Sequence, residues 1–282
     1  MSATPYNIWQ VPAYIPYLHP ELTDEAIADT ESRIGFPLPP SLIALLKVQN
    51  GGYIRYKSEH HPTEQIYGIG SGCFTIDKYP MRTEDWESSI DEDRMIPFDG
   101  EGNWYLCLDY SESDTMPTVA YVDVEDDYAY QVASSFEEYL GMLHLADEYN
   151  FYLPQVDHLD HLLHVIGASL FLDFVTTPPR ILGYPVHKAY KQMKSREYIA
   201  IEPNWVPRGH VNQGDQDYEA LKNRLPGMTS RINEIPASSY LFTVTPGLQS
   251  SLVAICEKRS IDLRPLSDFR EPWPTSYAYK MS

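Results

Sequence analysis

The sequence predicts an α+β fold, a central antiparallel sheet flanked by helices, followed by a second smaller α/β or α+β domain. Two short helices with clear start and stop signals open the folded part of the chain. A run of short β-type segments follows, and a further helix closes the set. Helices and strands kept apart in this way, rather than alternating one by one, are the mark of α+β architecture. Charge then divides the chain into two dissimilar halves, which predicts a second domain.

The elements can be justified in order. Residues 1–19 form a lead rich in Pro and aromatic residues, with Pro5, Trp9, Pro12 and Pro16. Thr23 is placed to cap the first helix, and Asp24 and Glu25 bring negative charge to its first turn, where the helix dipole favours it. Ala26, Ile27, Thr30 and Ile34 mark the inner face, and Gly35 supplies the stop. Pro37, Pro39 and Pro40 form a rigid elbow, Ser41 opens a second helix with Leu42, Leu45 and Leu46 inward, and Asn50-Gly51-Gly52 ends it. Strands are then expected at Tyr53–Tyr56, Ile66–Ile69, Cys73–Ile76, Met95–Phe98, Trp104–Tyr110, Thr118–Val124 and Tyr128–Val132. Glu84 to Asp93 is expected to be a short helix or loop. Ser134 or Ser135 caps a helix expected to reach about Asp147.

Beyond residue 150 the expected elements are a helix over Asp157–Val175, a strand at Tyr198–Ile201 and a short helix near Asp217–Arg224. A strand–helix–strand unit follows at Tyr240–Thr245, Gly247–Lys258 and Ile261–Leu263. The organisation read from the sequence is therefore a lead (1–19), an acidic domain (20–149) and a C-terminal domain (150–282).

The formal net charge is −19, and it is unevenly spread. Residues 1–149 hold 7 Lys+Arg against 27 Asp+Glu, a net of −20, and the remaining 14 against 13 give +1. The first half would repel nucleic acid, so no nucleic-acid partner is expected. No apolar run reaches the roughly 18–20 residues that span a bilayer, and the N-terminus lacks the pattern of a secretory signal. Cys73, Cys107 and Cys256 are too few and too scattered for a disulfide framework or a zinc cage. A cytoplasmic location with no membrane partner is the expectation.

Candidate chemical motifs fail on spacing. Gly68-Ile-Gly-Ser-Gly72 has Cys73 where a dinucleotide loop needs its third Gly, and it leads into a strand rather than a helix. Asp123-Val-Glu-Asp-Asp127 starts like a calcium loop, yet Tyr128 and Ser134 stand where Gly and Glu are required, so a hairpin turn is expected. His158, His161 and His164 share a helical face without a further ligand at the spacing of a metal site. No Gly-x-Ser-x-Gly elbow occurs, and Cys107 lies in an apolar run as a small core residue. No catalytic residue, metal site or cofactor is expected.

Two stretches resemble the SUKH superfamily. One is Glu31-Ser-Arg-Ile-Gly-Phe-Pro-Leu-Pro-Pro-Ser-Leu42, followed by Gln49-Asn-Gly-Gly52. The other is Ile96-Pro-Phe98, then Gly102-Asn-Trp-Tyr-Leu-Cys-Leu-Asp109. Val119–Val124 and Ala133-Ser-Ser-Phe-Glu-Glu-Tyr-Leu140 extend the resemblance over about residues 20–145. It implies a binding role without a shared catalytic constellation. Bacterial members of that superfamily are typically immunity proteins that neutralise a cognate toxin, often a nuclease; fungal members are scaffolding regulators of cell-wall synthesis. The expected function is therefore a non-catalytic immunity protein whose acidic surface binds a basic toxin domain, with a regulatory scaffold as the alternative. Nuclease domains carry basic surfaces for phosphate, and an acidic partner complements them and speeds encounter. The expected partner-binding residues are Glu84, Asp85, Trp86, Glu87, Asp91, Asp93, Asp126 and Asp127.

Overall fold

A computed structural model of the chain describes residues 8–77, 90–145, 149–178, 183–191 and 196–266. The chain divides into two compact units, one within residues 1–146 and one within 147–270.

In the first unit, helix α1 (Asp24–Ile34) starts as its sequence dictates, with the Thr23 hydroxyl accepting from the Ala26 amide at 3.1 Å. Gly35 closes it in the left-handed conformation. The Glu31 carboxylate then accepts from the Leu38 amide at 2.8 Å, which ties the elbow back to the helix it leaves. Helix α2 (Pro40–Val48) begins one residue before the expected Ser41, because proline suits the first helical position, where no amide is needed. The Tyr110 hydroxyl donates to the Pro37 carbonyl at 2.7 Å, and its ring stacks on Phe36 at 4.3 Å.

The expected Tyr53–Tyr56 strand is two short ones, β1 (Gly52–Tyr53) and β2 (Tyr56–Lys57), and the Ile66–Ile69 strand shifts to β3 (Gln65–Ile66). Cys73–Ile76 is not a strand; only a single bridge links Thr75 to Gly68. Phe74 sits in the left-handed region at φ 56°, which breaks the extended backbone there, and Gly68 opposite it is tightly enclosed. A Cβ on Gly68 would sit 2.2 Å from the His19 ring and 2.8 Å from the Asn50 carbonyl. The Asn50 side chain acts as a strand partner for Ile69, donating to its carbonyl and accepting from its amide, both at 2.8 Å. It also donates to the Pro20 carbonyl at 2.7 Å. The Asn-Gly-Gly signature and the glycine loop thus interlock as structure.

The main sheet has the order β4 (Met95–Gly100), β5 (Trp104–Asp109), β6 (Thr118–Asp123) and β7 (Tyr128–Ala133), all antiparallel. One face packs Phe98, Leu106, Leu108 and Val119 against Ile34, Leu42 and Leu46 of the helix pair and against Phe136 and Tyr139. The opposite face packs Met95, Tyr105, Cys107, Ala120 and Val122. Burial on both faces accounts for Trp104–Leu108 being apolar at every position. Each fully buried Leu, Ile, Val, Phe or Met among these contributes about 1.5–3 kcal/mol by leaving water.

Helix α3 (Phe136–Met142) is capped by Ser135, whose hydroxyl accepts from the Glu138 amide at 3.1 Å. It is shorter than expected. Leu143 turns into the core, and strand β8 (His144–Leu145) pairs with β2 instead of continuing the helix.

The second unit holds a six-stranded antiparallel sheet. Its members are β9 (Phe151–Leu153), β10 (Val175–Thr177), β11 (Val186–Tyr190), β12 (Tyr198–Pro203), β15 (Tyr240–Val244) and β16 (Arg264–Pro265), ordered β10-β11-β12-β15-β9-β16. Short strands β13 (Trp205–Pro207) and β14 (Met228–Ser230) pair separately, near the short helix α5 (Tyr218–Leu221) in sequence. Helices α4 (Leu159–Leu170) and α6 (Pro246–Lys258) cover one face through Leu162, Ile166, Leu248 and Leu252.

The helix expected over Asp157–Val175 ends at Leu170, and Val175 starts a strand. The chain folds back over Gly167 so closely that a Cβ there would lie 2.6 Å from the Leu172 carbonyl oxygen. Ile261–Leu263 is not a strand either. The Ile261 amide bonds back to the Cys256 carbonyl at 2.9 Å as the helix unwinds, and pairing begins only at Arg264. Strands β9, β10, β11, β13 and β14 have no counterpart among the expected strands. Because β15 and β16 both run antiparallel to β9, the strand–helix–strand unit is parallel with one strand between its arms.

Candidate interaction site

The β6–β7 hairpin carries the acidic turn on rigid flanks. The Asp123 carboxylate accepts from the Asp126 amide at 2.9 Å, and the Val124 amide donates to the Asn103 carbonyl at 2.9 Å. Asp127 completes the turn in the left-handed region at φ 51°. This is the hairpin turn read from the sequence. Among the described residues no group of three or more His, Cys, Asp or Glu side chains could hold a metal ion.

An aromatic ladder runs from the sheet to its edge beside that turn. Trp104 stacks on Tyr121 with ring centroids 6.3 Å apart, and Tyr121 meets Tyr130 at 5.3 Å, directly across the strand pair. Tyr130 and Tyr128 stack at 6.2 Å. Tyr121 is buried, whereas Tyr128 and Tyr130 are 44% and 43% exposed, large values for aromatic side chains. Burial, with the Asp123 charge second, pushes the Tyr121 hydroxyl up, so it stays protonated. From Met95 through Pro179 the chain has no Lys or Arg, so the sheet and its turn bring no cation of their own to this surface. Flat rings with hydroxyl tips beside carboxylates can receive a guanidinium or ammonium group by charge and by cation–π contact.

Of the eight residues expected to bind a partner, Asp126 and Asp127 lie in this turn. Asp91 and Asp93 are exposed on the short 3-10 segment that leads into β4. That is the other edge of the sheet and the opposite end of its strands, roughly 20 Å away by strand spacing and rise. The structure therefore does not bring the two acidic pairs together. Glu84, Asp85, Trp86 and Glu87 lie outside the described residues. Tyr121, Tyr128 and Tyr130, not singled out from the sequence, supply the apolar part of the site. Their signal was the Tyr-Ala-Tyr alternation next to the acidic turn, which marks one face of an edge strand.

Burial shifts several titratable groups inside the first unit. Burial, then the Asp109 charge, pushes the Cys107 thiol up, which disfavours a thiolate. Asp99 is fully enclosed; burial raises its carboxyl to about 8 despite the Glu64 amide donating to it at 3.0 Å. Thr63 bridges His61 and Tyr139 nearby, and burial lowers His61. This polar knot joins the loop before β3 to the sheet. In the second unit His161 and His164 are exposed on α4, a polar stripe as expected, and His158 stands just before the helix. No helix among the described residues is long and apolar enough to cross a membrane.

Residues 21–142, from α1 to the end of α3, match the family model described as SMI1 / KNR4 family (SUKH-1). No curated protein and no solved structure matches the chain.

Proposed function

We propose that this chain, whose residues 21–142 form a SUKH-superfamily domain, is a non-catalytic immunity protein of the cytoplasm that neutralises a basic toxin domain by binding it. The β6–β7 hairpin carries this reading: exposed Tyr128 and Tyr130 stand beside a turn of four acids in a cation-free stretch of chain. Interface hot spots favour such aromatic anchors with complementary charge at the rim. A nuclease toxin suits the site, since its substrate-binding surface must be basic.

The test is co-expression with the product of the adjacent gene, scored as rescue of growth. Rescue should fail when Tyr128 and Tyr130 are replaced by Ser, with the partner's affinity falling about 10- to 100-fold. Asp91→Ala with Asp93→Ala, at the distant corner, should leave rescue intact. Rescue that survives the tyrosine changes, or a partner that is not basic, would overturn the proposal.

A further inference from the structure

The main sheet of the first unit has two terminal strands, and they are treated in opposite ways. All six residues of β4 are buried, with the Phe98 carbonyl already accepting from the Tyr67 amide at 2.7 Å. In β7, Tyr128, Ala129, Tyr130 and Gln131 are exposed in succession. Proteins usually guard such an edge with charge, proline or a bulge that twists it away. Residues 128–131 contain neither Pro nor a charged side chain. The one irregularity in the pairing falls at Val132, because Val119 pairs with Ala133 while Ala120 pairs with Gln131. The four exposed residues are left as a regular strand. Among the described residues no strand pairs with the outer side of β7, and in an antiparallel pair alternate residues turn their N–H and C=O away from the neighbour, so that edge presents backbone donors and acceptors.

We infer that the partner lays an extended, Lys- or Arg-bearing segment along this edge as a fifth strand of the sheet. The inference rests on the reading of the hairpin as the binding face and names how that face is read. Backbone pairing fixes the register of the incoming strand, and alternate side chains on one of its faces then pass Tyr128 and Tyr130. Charge selects the occupant. Asp123, Glu125, Asp126 and Asp127 flank the edge, which attracts a basic segment, and a net charge of −19 opposes a second copy of the chain.

The experiment titrates the isotope-labelled full chain with an end-capped decapeptide alternating Lys and Val. Two further versions are N-methylated on one or the other alternate set of residues, which removes the outward donors of one peptide edge and keeps the charge. The expected result is that the parent binds at low salt and shifts the amide signals of residues 123–131. One methylated version should bind about tenfold or more weakly, while the other keeps the parent's affinity. If both methylated peptides bind as well as the parent, strand addition is wrong and the acidic–aromatic reading of the hairpin stands. If the parent does not bind, or shifts only signals elsewhere, both fall together.

Discussion

Asp99 lies beside the irregularity in β4, and burial raises its carboxyl to about 8, against 3.8 for the free group. Below pH 3.8 both folded and unfolded chains hold the proton, and the group leaves stability unchanged. Between 3.8 and about 8 only the unfolded chain releases it, so stability falls by about 1.4 kcal/mol per pH unit. Above about 8 both forms are ionised and the dependence ends. Asp99→Asn has no proton to lose, so its advantage in urea unfolding should grow from pH 4 to pH 8; parallel curves for the two proteins would refute the assignment. Asn50 is the converse case, a buried polar side chain fully used. Asn50→Ala strips partners from Ile69 and Pro20 and should cost about 2–4 kcal/mol in the same measurement.

Elements differ in how much of them sequence could announce. Helix α1 was legible because its cap, first-turn acids and closing glycine all lie within a dozen residues. Helix α3 was legible at its start and not at its end. Ser135 accepts from the Glu138 amide, while the Glu138 carboxylate accepts from the Ser134 amide at 2.7 Å, a local reciprocal cap. Ser135→Ala should therefore destabilise the first unit by about 1 kcal/mol, and Ser135→Asp should restore most of that in denaturant titrations. Where the helix stops depended on Leu143 finding the core and on β8 finding β2, which no neighbour in sequence reports. Strands β4 to β7 were visible as runs of apolar and aromatic residues. The short pairs, and β9 and β11 in the second unit, were not, since a strand of two to five residues exists only through its partner.

At the scale of the molecule, charge is the governing term. The first 149 residues carry a net of −20 and the rest +1, so long-range attraction to any basic partner would arise from that acidic stretch. Glu125→Lys with Asp126→Lys, both at exposed positions, should slow association with a basic partner several-fold at low salt and leave unfolding almost unchanged. Stopped-flow rates over a salt series read this directly; equal rates for the variant and the parent would separate charge from binding. Tyr128 and Tyr130 should act on dissociation instead, since packed contacts set how long a complex lasts.

Taken alone, the sequence determined the class of fold, the helix starts, the acidic bias and the superfamily resemblance over about residues 20–145. Each depends on composition or on residues close along the chain. The tertiary structure decided which tyrosines emerge at an open edge, that Asp91 and Asp93 stand far from Asp126 and Asp127, and that Asp99 is sealed in. Those outcomes follow from strand order and register. Pairing partners tens of residues apart set them, and a shift of one residue in the pairing of β7 would turn Tyr128 and Tyr130 to the other face.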